Sequence, residues 1–324
     1  MYRAVMALPK ILDDALDTLV VPGFSRIGYL VRAGQFDALD HNVLAGKTVL
    51  ITGPTSGLGK AAAHQLAAMG ADLILVGRSA EKLERTKSEL VQGMETQKFH
   101  TVVADMGDLD AVRQASRSII EYAPSIHALV HNAGALLKSR EVSPQGHEIT
   151  IATHVLGPHQ MTTDLLSLLR SSSGRVITVS SGGMYGATLP NILRNQSPEM
   201  SLASYDGTRQ YAIAKRMQVT LNEMWAVREP QVSFAAMHPG WADTPGVQES
   251  LPAFRRLMKP LLRSSEQGAD TISWLASRSE TIDSGKFWCD RAVRTIHRLS
   301  RTRKSDTPEA RGALWQWCNE RITQ

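Results

Sequence analysis

Between residues 48 and 237 six short runs of aliphatic and β-branched residues recur, separated by longer amphipathic stretches. The runs are Thr48-Val49-Leu50-Ile51, Leu73 to Val76, Phe99 to Val103, Ala128 to Val130, Val176 to Val179 and Val232 to Met237. Lys60 to Met69, Glu81 to Val91 and Leu109 to Tyr122 are among the helix-length segments between them. Strands that are apolar on both faces have to be covered on both faces, and parallel strands need helical crossovers. The alternation therefore predicts an α/β chain: a doubly wound parallel sheet with helices on both faces.

Two flanking regions lack this alternation. In residues 1–46, Leu12, Leu16, Leu19 and Val20 fall at helical spacing until Pro22-Gly23 interrupts them, so one or two helical stretches are expected. Residues 291–324 read as a basic linker followed by a short helix around Leu314 to Arg321. Met1 to Leu8 is mostly apolar, but Pro9, Lys10, Asp13 and Asp14 follow closely and spoil a secretory signal. A cytoplasmic chain is expected.

Composition narrows the function classes. Cys289 and Cys318 are the only cysteines in 324 residues and belong to no C-x-x-C pair, so neither a disulfide framework nor a metal site is expected. No uncharged apolar run is long enough to span a bilayer. The formal net charge of +5 gathers late, in Lys286, Arg291, Arg294, Arg298, Arg301, Arg303 and Lys304. No interleaved aromatics or zinc spacing accompany it, which argues against nucleic-acid readout. A solvated basic tail accounts for the cluster; attraction to an anionic membrane surface or substrate is the alternative.

The first run leads into Thr52-Gly53-Pro54-Thr55-Ser56-Gly57-Leu58-Gly59, and a helix opens after it. Here Gly53 would permit the tight turn, Gly57 close backbone approach, and Gly59 close helix–strand packing. A pyrophosphate could then rest on the amides of the helix N-terminus. This is the strand–turn–helix context that a dinucleotide fingerprint on a Rossmann fold requires. The expected organisation is thus a helical extension (1–46), a dinucleotide-binding and catalytic domain (47–290) and a basic C-terminal tail (291–324). An acidic residue at the end of the second strand would bind a ribose 2′-hydroxyl. That position holds Gly77 instead, and Arg78 follows with a guanidinium suited to a phosphate fork. NADP(H) is favoured over NAD(H), the alternative cofactor. Asp105, followed by Met106, could face an adenine or simply cap the next helix.

Tyr211-Ala212-Ile213-Ala214-Lys215 sets a phenol and an ammonium on one helical face, downstream of a strand ending in Ser180-Ser181. An unperturbed tyrosine, with a pKa near 10, is a poor acid–base at neutral pH. Lowering it by about three units takes about 4 kcal/mol of differential interaction, which a nearby cation helps to supply. Together with His131-Asn132-Ala133-Gly134 and Pro239-Gly240, these residues give the chain a pattern that resembles the short-chain dehydrogenase/reductase family over about residues 47–290. Val176 to Met184, Met237 to Gly246 and Phe287 to Arg291 are similar, more narrowly, to its subgroup called dehydrogenase/reductase member 12.

The resemblance implies a role for each matching residue. Tyr211 would exchange a proton with the substrate oxygen, Lys215 would lower its pKa and hold the nicotinamide ribose, and Ser181 would hydrogen-bond that oxygen. Asn132, Ala133 and Gly134 would line the cofactor cleft, with Pro239 and Gly240 beside it, and Thr244 would hold the carboxamide. The partner would be a small carbonyl or alcohol, and homo-oligomers are common in such families. One departure stands out: His154 occupies the position where the family usually places an asparagine that holds a relay water. It either positions a water and adds a titration near pH 6.5, or is a packed core histidine. Tyr205 is a competing phenol without a lysine four residues on. The stretch between Ser181 and Tyr211 reads as an insertion beside the site. Trp241 to Arg263 reads as a substrate lid whose Trp241, Leu251, Phe254, Leu257 and Met258 suggest an apolar wall. The alternatives to a carbonyl reductase are a catalytically weak cofactor-binding scaffold or sensor, and a membrane-associated lipid or steroid reductase.

Overall fold

The structure, a computed structural model, describes residues 10–92, 94 and 96–323; the Met1 to Leu8 stretch weighed above as a signal lies outside them. Eight strands form one sheet: β1 (Thr48–Thr52), β2 (Asp72–Gly77), β3 (Phe99–Val103), β4 (Ala128–His131), β5 (Arg175–Val179), β6 (Ser233–Met237), β7 (Lys286–Cys289) and β8 (Ala292–Arg294). Their order is β3-β2-β1-β4-β5-β6-β7-β8, parallel throughout except for the final β7–β8 hairpin. The doubly wound α/β architecture is therefore present, and each of the six expected runs is a strand with edges shifted by at most one residue.

Alternate residues of the central strands feed the two faces. Leu50, Leu129, Val176 and Phe234 pack against helices on one side; Val49, Ile51, Val130, Ile177 and Met237 pack on the other. Each such buried aliphatic side chain contributes about 1.5–3 kcal/mol, so the sheet centre is the rigid part of the molecule. Strand order reverses between β1 and β4, which opens a crevice at their carboxyl ends. The glycine turn after β1, Asn132 after β4, Ser180-Ser181 after β5 and Pro239-Gly240 after β6 all reach that one edge.

The flanking regions differ from expectation. The extension forms three helices, α1 (Lys10–Thr18), α2 (Val20–Phe24) and α3 (Arg26–Ala33). Pro22-Gly23 lies inside α2, a single turn whose first amides need no helical partner, so a proline is tolerated there. The break comes at Ser25, whose hydroxyl accepts from Ile27 N and caps α3. Residues 291–324 are a solvated basic tail only in part, with Arg301, Arg303 and Lys304 exposed. The sheet continues into β8, and Arg291, Arg294 and Arg298 are paired with Asp270, Asp13 and Asp17. Those partners are remote in sequence, which is why a local reading of charge misses them. The last helix runs Pro308–Ile322, longer than expected, because Thr307 caps it and Leu314, Trp317 and Cys318 are buried in the core. Among the described residues no helix is long and apolar enough to cross a membrane.

Candidate active site

The turn after β1 adopts the backbone its glycines permit. Gly53 and Gly57 have φ of +68° and +52°, a left-handed conformation that glycine enters without steric cost. The helix α4 (Gly57–Ala68) opens behind Ser56, whose side chain makes no capping bond. Its first amides are thus free for an anion. A Cβ on Gly59 would overlap the Gly53 carbonyl and the Asn132 amide, so Gly59 serves close packing as expected.

Threonine and asparagine shape this cradle from below. Thr52 Oγ1 accepts from the amides of Asn132 and Ala133 at 3.0 Å each, and Asn132 Nδ2 donates to the carbonyls of Thr52 and Gly53 at 3.0 and 3.1 Å. The ends of β1 and β4 are stitched together across the crevice. Thr55 is partly exposed and Leu58 packs near Gly268. Thr244 lies against Gly57, and its hydroxyl caps the following helix through Val247 N. Pro239 and Gly240 leave β6, and a Cβ on Gly240 would overlap the Arg263 guanidinium. Arg78 stands exposed after β2 and has no ion pair among the described residues. Asp105 accepts from Gly107 N at 2.8 Å beside the buried Met106; the cap of the next helix is Asp108, not Asp105.

Tyr211 and Lys215 sit one turn apart on the helix Gly207–Arg228, which Asp206 caps. The Lys215 ammonium lies 5.2 Å from the Tyr211 ring centre and donates to the Val179 carbonyl at 2.8 Å. Ser180 faces away: its hydroxyl donates to the Lys215 carbonyl at 3.0 Å. Ser181 accepts from Gly183 N and stands beside Tyr211. Burial pushes the Tyr211 phenol up, and the Ser181 hydroxyl offsets part of that. Burial also brings the Lys215 ammonium down to about 7. At neutral pH the pair thus holds a protonated phenol beside a lysine poised to gain or lose its proton. Tyr205 is excluded from this cluster, since its hydroxyl donates to Glu148 Oε1 at 2.9 Å.

His154 lies in a π-turn, Ala152–Leu156, that interrupts the helical run from Ile149 to Asp164. Its ring meets Tyr211 edge-on, with centres 5.3 Å apart. Nε2 is 2.9 Å from Ala135 O and 3.2 Å from Ala135 N, while Gln218 Nε2 donates to the His154 carbonyl at 2.7 Å. The ring fills the space that a side chain at 134 would need, which explains Gly134. Burial, aided by the Lys215 charge, holds the imidazole well below its ordinary pKa. Of the two readings of His154, this burial and the contacts with Ala135 favour the packed, hydrogen-bonded histidine over one that titrates. Gln218 carried no sequence signal of its own; its seven-residue spacing from Tyr211 marks only a shared helical face.

Comparison with known proteins bears on the family. The family model for the short chain dehydrogenase matches residues 47–189. The human protein "Dehydrogenase/reductase SDR family member 12" is 34% identical over 313 residues, covering 95% of this chain and 94% of that one. Human retinol dehydrogenase 12 is 28% identical over 261 residues, covering 76% and 78%. The crystal structure of levodione reductase superposes with a TM-score of 0.62 at 24% identity, covering 75% of this chain and 95% of that one. A third of its residues shared with a relative along nearly its whole length, on a sheet that brings Ser181, Tyr211 and Lys215 to one edge, place the chain in the short-chain dehydrogenase/reductase family of oxidoreductases.

Proposed function

We propose that this protein interconverts a carbonyl and an alcohol on a small, fairly hydrophobic molecule with NADP(H), using Tyr211 as the acid and base. The convergence of Ser181, Tyr211 and Lys215 beside an uncapped helix N-terminus carries the reading. The α4 amides, Thr55, Ser56 and Leu58 would hold a pyrophosphate, and Arg78 is free to grip a 2′-phosphate. Asn132, Ala133, Gly134, Pro239, Gly240 and Thr244 border the same crevice. Asp105 and Met106 follow β3 at the same edge of the sheet. When bound, the cofactor supplies the hydride.

The chain's own residues supply orientation and the proton. Ser181 fixes the substrate oxygen by a hydrogen bond, and the Tyr211 hydroxyl donates its proton to that oxygen during reduction. Protonated Lys215 favours the phenolate that results, and the neutral His154 ring packs the phenol in place. Trp241, Phe254 and Leu257 offer an apolar wall, and the name of the human retinol relative points to a similar substrate class. A panel of apolar aldehydes and ketones, followed by NADPH consumption, tests this. At least one member should be reduced, and Ser181→Ala should slow that reduction by about 10²-fold, as expected on removing one preorganised donor. No turnover on the whole panel, in either direction, would favour a cofactor-binding scaffold.

A membrane-associated form of this activity has one observation in its favour. Leu19 before α2, Val20 and Val21 of α2, and Ile27, Leu30 and Val31 of α3 are exposed, with Arg26 among them. Clustered exposed aliphatics mark contact surfaces. Pelleting with anionic vesicles, lost in Ile27→Asp/Leu30→Asp, is the expected result; equal pelleting of the variant would remove this form.

A further inference from the structure

We propose that the N-terminal extension completes the active site: Phe24 positions the Ser181 turn, and residues 23–25 anchor both ends of the substrate lid. This rests on the oxidoreductase reading above. The lid runs from Trp241, beyond the end of β6, to Arg263, before the helix Ser265–Ser277, and these two ends are zipped to each other. Arg263 N donates to Trp241 O at 2.8 Å, and Asp243 N donates to Arg263 O at 2.9 Å. Both ends then bond to the extension. Trp241 N donates to the Phe24 carbonyl at 2.8 Å. The buried Arg263 guanidinium donates to the carbonyls of Gly23 and Ser25, each at 3.1 Å.

The Phe24 ring reaches further, to the catalytic turn. It meets His238 edge-on at 4.2 Å between centres and Trp241 edge-on at 6.0 Å. It also lies against Gly182, so closely that a Cβ there would stand 2.9 Å from Phe24 Cε2. Gly182 directly follows Ser181, so the ring backs the turn that aims the Ser181 hydroxyl. Only the absence of a side chain at 182 lets the ring in.

The anchor is itself held by buried charge. Asp290 accepts from Arg263 at 2.5 and 2.9 Å and from Arg32 of α3 at 2.7 Å, all three side chains being nearly inaccessible to water. Asp290 and Arg291 form the two-residue turn between β7 and β8 with φ of +52° and +57°. Non-glycine residues keep such a backbone only where their surroundings over-determine it. Here the over-determination is the pair of arginines, one from the extension and one from the lid.

The test compares wild type, Phe24→Ala and Phe24→Leu by limited trypsin digestion at the exposed Arg256 of the lid, and by steady-state kinetics on a panel substrate. Phe24→Ala should raise the rate of lid cleavage about tenfold and lower kcat by a similar factor, with NADPH affinity unchanged. Phe24→Leu should restore most of both. Lid cleavage and kcat at wild-type levels in Phe24→Ala overturn the proposal, as does release of the lid only when the whole chain unfolds in both variants. The digestion needs no substrate or cofactor, so a protein inactive on every substrate would refute the oxidoreductase reading while lid anchoring is judged separately.

Discussion

Tyr211→Phe should lower turnover by about 10²–10⁴-fold, the usual contribution of a positioned general acid. The substitution deletes one hydroxyl and keeps the ring that packs edge-on against His154. The other hydroxyl beside the substrate oxygen, Ser181, has no base partner among its hydrogen bonds, so it cannot take over the proton. The amides of α4 and the Thr52–Asn132 stitching lie on different elements and are untouched, so NADPH affinity should change by less than threefold, about 0.7 kcal/mol. Parallel measurement of kcat and of NADPH binding checks both halves. Undiminished turnover would remove Tyr211 from the chemistry; lost binding would make its role structural.

Mild acid should destabilise the fold strongly, and the cause is imidazole burial. His131, His159 and His238 are pushed by burial to about 3, 4 and 3, and His154 is lowered by burial and by Lys215. Their hydrogen-bond partners are neutral: Thr162 for His131, Asn319 and Trp225 for His159, the Gly240 amide for His238. None offers a carboxylate that would favour an imidazolium. In the unfolded chain each titrates near 6.5. Stability is therefore fully present above pH 6.5. As pH falls below that value the unfolded state takes up protons that the folded state refuses, and the loss continues until the folded values near 3–4 are reached. Each histidine contributes a slope of up to about 1.4 kcal/mol per pH unit. His131, His159 and His238 together remove about 3 kcal/mol in the first unit below 6.5, with His154 acting in the same direction, a large share of an ordinary domain's stability of about 5–15 kcal/mol.

Urea midpoints between about pH 7.5 and about pH 5 measure this directly. A steep fall across that range is expected, ahead of Asp13, Asp243 and Asp290, which arginines hold below the ordinary carboxylate range. A flat midpoint would mean that these imidazoles protonate in place.

Much of the architecture was legible because its signals are local. An aliphatic run between turn residues needs no distant partner to be read as a buried strand, and the Gly53, Gly57 and Gly59 spacing declares its own backbone. Tyr211 and Lys215 share a helical face by spacing alone. What could not be read was whatever depends on long-range pairing. The basic residues after 290 look solvated in sequence, yet Arg291, Arg294 and Arg298 find aspartates at 270, 13 and 17. The hairpin strand β8 is only three residues long and carries no periodicity to detect. His154 shows the same limit. Its identity departs from the family pattern, but its neutrality follows from burial and from a glycine twenty positions upstream that makes room for its ring.

On the proposed function, the crevice beside α4 takes NADP(H), with Arg78 as the selector and the Ser181, Tyr211 and Lys215 set next to the nicotinamide. Titration of tryptophan fluorescence with NADPH and NADH side by side, on wild type and Arg78→Ala, tests it most directly. NADPH should bind tighter by at least about tenfold, or 1.4 kcal/mol, with the difference abolished in Arg78→Ala. Tighter NADH binding would contradict the selector, and binding of neither nucleotide would contradict the account as a whole.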